Sequence, residues 1–251
     1  MSGHSKWSTI KRKKAAEDAK RGKIFTKLAR EIVVAARKGG GDPEMNTALG
    51  LAISRAKAAN MPKENIERAI KKGIGDDKDG AAFEEVTYEG YAPHGIALMI
   101  ECATDNRNRT VSDLRHILTS SGGSMGEGGS VAWQFTQSAY FTLSSSDLDE
   151  DAVFELAIQG GADDVLVDGG VMEIIGETTS FKAIHDQLTQ AGINPDDAGL
   201  RMIPNQEMNL EVDDTVKVMK VIERLEDLDD VQNVFTNLSI TDEAMAQYGE
   251  G

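Results

Sequence analysis

The stretch DEDAVFELAIQGGADDVLVDGGVMEIIG, residues 149–176, determines how the second half of the chain is predicted to fold. Its first half has the spacing of a helix and ends at Gly160-Gly161. DDVLVD and VMEIIG then predict two strands joined by a hairpin-like turn at Asp168-Gly169-Gly170. With the strand AYFTL upstream, and the helix TTSFKAIHDQLTQAG and the strand AGLRMIP downstream, residues 139–203 run β-α-β-β-α-β.

This order is the ferredoxin-like pattern, and the elements on either side of it predict a second domain. Before it, FEEVTYEGY and GIALMIECA predict strands, TVSDLRHILTSS a helix and SGGSMGEGGS a flexible loop. SVAWQF predicts a short strand that places Trp133 in the core, since it alternates with Val131 and Phe135. After it, DDTVKVMKVIERLEDL and DVQNVFTNL predict one helix and one strand, too few for a domain. We therefore expect these two elements to complete the earlier domain, with the ferredoxin-like unit inserted in it.

The first part of the chain predicts a small helical bundle. Apolar residues recur every three or four positions over residues 23–38, and three glycines follow. Asp42, followed by proline, predicts the start of a second helix with Met45 on its inner face, and residues 62–73 predict a third helix. The predicted fold class is therefore multidomain α and α+β. Its domains are a helical N-terminal bundle (1–75), a discontinuous middle α/β domain (80–136 plus 205–240), an inserted ferredoxin-like domain (137–204) and a tail (241–251).

Composition restricts the class of protein. The chain has 251 residues, 40% of them hydrophobic, which suffices for folded cores. A single cysteine, Cys102, excludes an internal disulfide and a cysteine-based zinc cluster. No apolar run approaches the length of about 20 residues that spans a membrane, and no apolar segment of a secretory signal follows the basic start. We therefore expect a cytoplasmic protein with no membrane partner.

Charge is distributed unevenly along the chain. The formal net charge is −15, yet residues 1–72 carry 18 Lys and Arg against 7 Asp and Glu. Residues 73–251 carry 9 Lys and Arg against 35 Asp and Glu. A basic head (1–72) of charge +11 is therefore joined to an acidic body (73–251) of charge −26. This asymmetry predicts a head that binds polyanions and a body that avoids them.

The basic residues of the head form the candidate nucleic-acid site. Acidic partners for i,i+4 pairing are nearly absent up to residue 38, so the row of like charge repels itself until a polyanion binds. The alternative is an ordinary solvated helix face. The aromatic residue of this set, Trp7, either stacks on a base or ribose or packs back on the bundle. The predicted nucleic-acid-binding residues are Lys6, Trp7, Lys11, Arg12, Lys13, Lys14, Lys20, Arg21, Lys23, Lys27 and Arg30.

TDNRNRT, residues 104–110, is a candidate second anion site. It connects a predicted strand to a helix N-terminus, where free N–H groups and the side chains of Arg107 and Arg109 suit a phosphate. The alternative is a structural turn capped by Asp105 or Asn108, with both arginines paired to carboxylates. We favour this structural turn because the body is so acidic.

The sequence carries no catalytic or metal-binding motif. The four histidines show no ligand spacing, and the nucleophile motif G-x-S-x-G does not occur. The Gly122–Gly129 loop lacks the Lys-Ser/Thr of a phosphate-binding P-loop, and we interpret it as a mobile connection or an interaction loop. We therefore predict a protein that is not an enzyme, with no catalytic residues, no cofactor and no metal.

Four motifs closely resemble the YebC/PmpR family, which includes a mitochondrial translational activator. They are MSGHSKWSTIKRKKAAEDAKRGKIFTKLAREI, MPKENIERAIKKG, ECATDNRNRT and GSVAWQF, and the resemblance covers nearly the whole chain. It implies the same three domains. The motif begins at Ser2, which favours a bacterial cytoplasmic member over one with a transit peptide. The family's basic motif carries over at Lys6, Lys11, Arg12, Lys13, Lys14, Lys20, Arg21 and Lys23.

The resemblance implies a regulator of gene expression that binds nucleic acid. Family members are commonly described as DNA-binding transcriptional regulators, and others as ribosome-associated factors that help difficult peptide bonds to form. A basic helix face binds the phosphates of DNA and RNA alike, so both functions stay open, with the transcriptional one first. No helix shows Asn, Gln or Arg spaced to read bases, which weakens sequence-specific recognition. A third function is a protein-only adaptor. The expected partners are DNA or ribosomal RNA and the ribosome, for a chain that is a monomer.

Overall fold

The structure is a computed structural model that describes residues 18–75, 83–145 and 148–250. These residues form a mixed α/β structure with eight α-helices and two antiparallel four-stranded sheets, which confirms the predicted multidomain class with both α and β elements. The helices are α1 (Asp18–Gly39), α2 (Thr47–Ala58), α3 (Lys63–Gly73), α4 (Arg107–Ser120), α5 (Glu150–Gln159), α6 (Phe181–Gln190), α7 (Val212–Glu226) and α8 (Asp242–Glu250). The strands are β1 (Glu84–Tyr91), β2 (Ala97–Thr104), β3 (Ser124–Met125), β4 (Phe135–Ser144), β5 (Ala162–Asp168), β6 (Val171–Glu177), β7 (Asp197–Pro204) and β8 (Val231–Thr236).

The helices α1, α2 and α3 pack around one apolar core. They contribute Ile32, Leu49 and Ile66 respectively, all of them buried. α3 crosses α1 so closely at Gly73 that a Cβ there would lie 2.6 Å from the Val33 carbonyl oxygen. Because only glycine lacks a Cβ, it permits this approach of the two backbones. α3 begins one residue after the predicted start and ends at the predicted Gly73, whereas α1 begins five residues before and ends one residue after its predicted span.

The start of α2 differs from the prediction. The N-cap residue is Asn46, not Asp42, and Met45 is 84% exposed rather than on the inner face. The Asn46 side chain accepts a hydrogen bond from the Leu49 N–H at 3.1 Å. It also donates to the Ala35 carbonyl at 2.8 Å, near the end of α1. This second contact fixes the helix start through tertiary structure, which capping preferences along the chain do not include.

The first sheet has the strand order β3-β1-β2-β8, with every pair antiparallel. The helices α4, α7 and α8 share one buried core with strands β2 and β8, with Ile100, Leu114 and Ile222 at its centre. The predicted tail is instead the helix α8. Its Ala244 and Tyr248 lie one helical turn apart and are both buried in this core, so the segment folds onto the sheet.

The second sheet has the strand order β5-β6-β4-β7, again with antiparallel neighbours. From β4 to β7 the elements run strand-helix-strand-strand-helix-strand, in the order that the sequence predicts. The helices α5 and α6 cover one face, where Phe141, Ile174 and Leu188 are fully buried. No side-chain hydrogen bond caps α6, which follows a short 3₁₀ turn at Thr178–Ser180.

The segment before β4 is not the predicted strand with a buried tryptophan. Residues Ala132–Gln134 form a 3₁₀ turn, and β4 begins at Phe135. The turn breaks the expected alternation, so Val131 and Phe135 are buried while Trp133 is 73% exposed. The preceding loop, predicted to be flexible, contains strand β3, which pairs with β1.

Candidate nucleic-acid interface

The structure describes the side chains of only some of the predicted binding residues. Lys6, Trp7, Lys11, Arg12, Lys13 and Lys14 lie outside the described residues. Lys20 and Arg21 belong to α1, but their side chains are likewise outside the description. The side chains described are those of Lys23, Lys27, Arg30, Arg107 and Arg109.

The basic row of α1 faces the acidic body. Lys23 Nζ lies 3.7 Å from a carboxylate oxygen of Asp227, and both side chains are more than half exposed. Lys27 donates to the backbone carbonyl of Glu226, the last residue of α7. Arg30 donates to the Asp229 carbonyl at 2.6 Å and to the Asp230 carboxylate. Residues 226–230, which we call the acidic turn, therefore meet all three cations.

The position of the acidic turn explains its attraction for cations. It begins at the C-terminus of α7, where unpaired carbonyl groups and the helix dipole carry partial negative charge. Asp227, Asp229 and Asp230 add three carboxylates within four residues. Lys23, Lys27 and Arg30 are spaced at i, i+4 and i+7, so these three cations of α1 lie on one face of the helix.

Asp230 is the most buried carboxylate of the acidic turn, with a side chain only 7% exposed. Besides Arg30, it accepts hydrogen bonds from Arg109 Nη2 at 2.8 Å and 3.0 Å and from Thr110 Oγ1 at 2.8 Å. Burial by itself raises the pKa of Asp230, but the hydrogen bonds from Arg109, Thr110 and Arg30 outweigh it and lower the pKa. The carboxylate is thus held ionised between α1 of the head and α4 of the body.

Both arginines of the candidate second anion site are paired with carboxylates. Arg107 Nη2 lies 2.6 Å from Glu84, and Arg109 Nη2 lies 2.9 Å from Asp105 as well as contacting Asp230. The geometry favours the structural turn, because a phosphate would have to displace these partners. Neither predicted residue caps α4, since Asn106 is its N-cap and accepts a hydrogen bond from the Arg109 N–H at 3.1 Å.

A single carboxylate holds the glycine-rich loop. The Glu89 side chain accepts hydrogen bonds from the N–H groups of Gly129, Val131 and Ala132 at 2.6 Å, 2.7 Å and 2.9 Å. Burial raises the pKa of Glu89, but these three bonds outweigh it and lower the pKa. The exposed Trp133 donates from its indole Nε1 to the Ser130 carbonyl at 3.1 Å. These hydrogen bonds attach the end of the loop to strand β1, which contains Glu89.

A polar chain that sequence reasoning missed joins the bundle to both sheets. Arg55 of α2 contacts Glu31 at 2.6 Å and Asp197 of β7 at 3.0 Å. Arg201 of β7 also pairs with Asp197 and donates to Asn233 of β8 at 3.1 Å. Burial by itself lowers the pKa of Arg55, but Glu31 and Asp197 outweigh it and raise the pKa. Arg55 and Asp197 are 142 residues apart in the sequence, so no local sequence pattern could have identified this chain.

The polar chain runs along a cleft of about 820 Å³ between the bundle and the two sheets. At its far end, Asn233 Nδ2 donates to Glu101 Oε2 at 2.9 Å. Burial raises the pKa of Glu101, and the hydrogen bond from Asn233 opposes that shift without cancelling it. Cys102 also lines the cleft and is buried, as its apolar surroundings in the sequence predict; burial raises the pKa of its thiol to about 12.

Within residues 18–75, 83–145 and 148–250, no three His, Cys, Asp or Glu side chains lie close enough together to hold a metal ion. No helix in the same described residues has both the length and the apolar composition that crossing a membrane requires.

Two family models match the chain over most of its length. Residues 5–76 match the TACO1/YebC protein N-terminal domain, and residues 83–238 match the TACO1/YebC second and third domain. The first match contains every predicted nucleic-acid-binding residue of the head.

Similar proteins cover nearly the whole chain. A probable transcriptional regulatory protein of Borrelia turicatae is 51% identical over 97% of this chain and 99% of its own length. A probable transcriptional regulatory protein of Geotalea uraniireducens is 52% identical, with 98% of each chain covered. Among solved structures, a conserved hypothetical protein from Aquifex aeolicus superposes with a TM-score of 0.83 and 43% identity, covering 90% of this chain and 93% of that one.

Proposed function

The chain belongs to the TACO1/YebC family, and from that premise we propose that it is a non-enzymatic regulator of gene expression that binds nucleic acid through its basic head. The names of its relatives, probable transcriptional regulatory proteins, support a regulatory role. The observation that carries the proposal is the charge distribution, with 18 Lys and Arg against 7 Asp and Glu in residues 1–72 of an otherwise acidic chain. DNA is the first candidate ligand, and RNA, including ribosomal RNA, is the alternative.

We infer that the head, the first sheet and the second sheet correspond to the three domains of the family. The pairing of β8 with β2 supports a discontinuous middle domain, since it returns the chain to the first sheet after the second sheet is complete. The order β5-β6-β4-β7 supports a ferredoxin-like inserted domain. The head would then bind nucleic acid while the acidic body stays away from it or faces a basic protein.

If the head binds phosphates, the affinity for nucleic acid should fall steeply as the salt concentration rises, and the slope should depend on the basic residues 11–14. If about six cations contact duplex phosphates, log K should fall against log salt with a slope near −5. Changing Lys11, Arg12, Lys13 and Lys14 together to Ala should flatten the slope by up to about 4. Fluorescence anisotropy with a labelled duplex at several salt concentrations measures both slopes.

A matched control removes the same amount of charge elsewhere on the bundle. Lys57, Lys63, Arg68 and Lys71 are exposed residues of α2 and α3, and their joint change to Ala should leave the slope nearly unchanged. Equal slopes for the two quadruple variants would contradict the assignment of residues 11–14. In cells, crosslinking followed by sequencing of the bound nucleic acid separates the ligands: promoter DNA favours the transcriptional function, ribosomal RNA the translational one.

A further inference from the structure

Three of the α1 cations that are predicted to bind phosphates are already bound within the chain. Lys23, Lys27 and Arg30 meet two carboxylates and two backbone carbonyl oxygens of the acidic turn (226–230). A row of oxygen atoms with negative charge is what a nucleic-acid backbone also presents to such a helix. The acidic turn thus occupies the place that the proposed function gives to phosphates.

The burial of these contacts increases along α1 from Lys23 to Arg30. The Lys23–Asp227 pair is exposed on both sides, and such pairs contribute little because water and salt screen them. The Arg30–Asp230 pair has side chains only 13% and 7% exposed, so water and salt screen it much less. Arg30 also stacks over the Phe83 ring, 5.0 Å from its centroid, and donates to the Ala103 carbonyl at 3.3 Å. Lys23 is therefore readily available to a ligand, whereas Arg30 becomes available only when α1 leaves the body.

We propose that the acidic turn competes with nucleic acid for Lys23, Lys27 and Arg30, so that the free chain is autoinhibited and full binding requires α1 to separate from the body. The inference rests on the proposed function, whose site it regulates. The residues before α1 and Lys23 make the first contacts. Lys27 and Arg30 then exchange the oxygen atoms of the turn for phosphate oxygens, and the head moves relative to the body.

This competition lowers the apparent affinity, because only the open fraction of the protein offers every cation to the ligand. A variant that weakens the turn should therefore bind nucleic acid more tightly, although every predicted ligand-binding side chain is intact. Asp230→Asn removes the negative charge that pairs with Arg30 and Arg109, and both arginines stay positively charged. The matched control is Asp105→Asn, which removes the same charge from another carboxylate that pairs with Arg109. Among the described side chains, no hydrogen bond or ion pair joins Asp105 to α1.

The experiment measures binding of full-length protein to a labelled duplex of about 20 base pairs at fixed salt. We expect Asp230→Asn to raise the affinity by about tenfold and Asp105→Asn to change it less than twofold. The double change Lys27→Ala with Arg30→Ala should reduce affinity more in the Asp230→Asn background than in the original chain, since only the open head uses these side chains. Amide hydrogen exchange of residues 103–110 and 226–231 should increase when the duplex binds.

Equal effects of Asp230→Asn and Asp105→Asn, or additive effects of Lys27 and Arg30 in the two backgrounds, would overturn the autoinhibition while leaving nucleic-acid binding intact. If neither the original protein nor any of the variants binds a DNA duplex or a structured RNA, the proposed function is wrong and the inference that rests on it is wrong as well. Should Asp230→Asn not fold, judged by its thermal melt, Asp227→Asn replaces it. Its control is Asp186→Asn, which removes an exposed ion pair of α6, and we expect a gain of about threefold for Asp227→Asn alone.

Discussion

The Glu89 carboxylate accepts three hydrogen bonds from backbone N–H groups at the end of the glycine-rich loop. The effect of replacing Glu89 on stability follows from these three bonds. In Glu89→Gln an NH₂ group replaces one oxygen and faces N–H donors, so at least one hydrogen bond becomes a repulsion. We expect a loss of about 2 kcal/mol of unfolding free energy and a changed Trp133 emission. Urea denaturation and fluorescence measure these effects, in a Trp7→Phe background where Trp133 is the sole tryptophan.

The pH dependence of the loop has a definite sign. Because the folded state lowers the pKa of Glu89, its contribution is complete above the unfolded pKa of about 4.3 and is lost as pH falls through the lower folded pKa. The original chain at acid pH should thus show the altered Trp133 emission of Glu89→Gln at neutral pH. Glu127→Gln is the matched control, an exposed glutamate of the same loop. An equal effect of the two substitutions would show that Glu89 does not hold the loop.

At the scale of elements, the apolar pattern of the sequence predicts most helices and strands, but it does not predict features that depend on contacts between residues far apart in the chain. The apolar spacing of α1, and the apolar runs and turn residues between 139 and 203, are sufficient to predict those elements. The short segment around Trp133 was predicted wrongly, because three alternating positions do not distinguish a strand from a 3₁₀ turn. The cationic row of α1 was recognisable, but its acidic partners lie about 200 residues further along the chain. The sequence therefore predicts the candidate binding residues of α1, but not that the acidic turn of the same chain contacts them.

Substitutions at the start of α2 test whether local capping or a tertiary contact positions this helix. Asn46→Asp preserves the oxygen that caps the helix but removes the donor to the Ala35 carbonyl and places a negative charge there. We expect both Asn46→Asp and Asn46→Ala to cost about 2 kcal/mol in urea denaturation, although Asp is a favourable N-cap by itself. Asp42→Ala, at the predicted cap, should cost less than about 1 kcal/mol. If Asn46→Asp left the free energy of unfolding unchanged, local capping alone would be sufficient to position α2.

At the scale of the whole molecule, Arg55 connects the bundle to the second sheet, and Arg201 continues the connection to the first. An Arg whose two nitrogens bind carboxylates from different elements couples the unfolding of those elements, since removing it takes a cation away from the partly buried Glu31 and from Asp197, which keeps its ion pair with Arg201. We expect Arg55→Gln to lose about 2–3 kcal/mol and to divide the thermal transition in calorimetry into two, with the bundle melting first. Lys57→Gln removes the same charge from an exposed position on the same helix and should leave one transition. Hydrogen exchange of residues 197–201 should rise in Arg55→Gln only. If Arg55→Gln melts in one transition at the original temperature, Arg55 does not couple the unfolding of the head to that of the body.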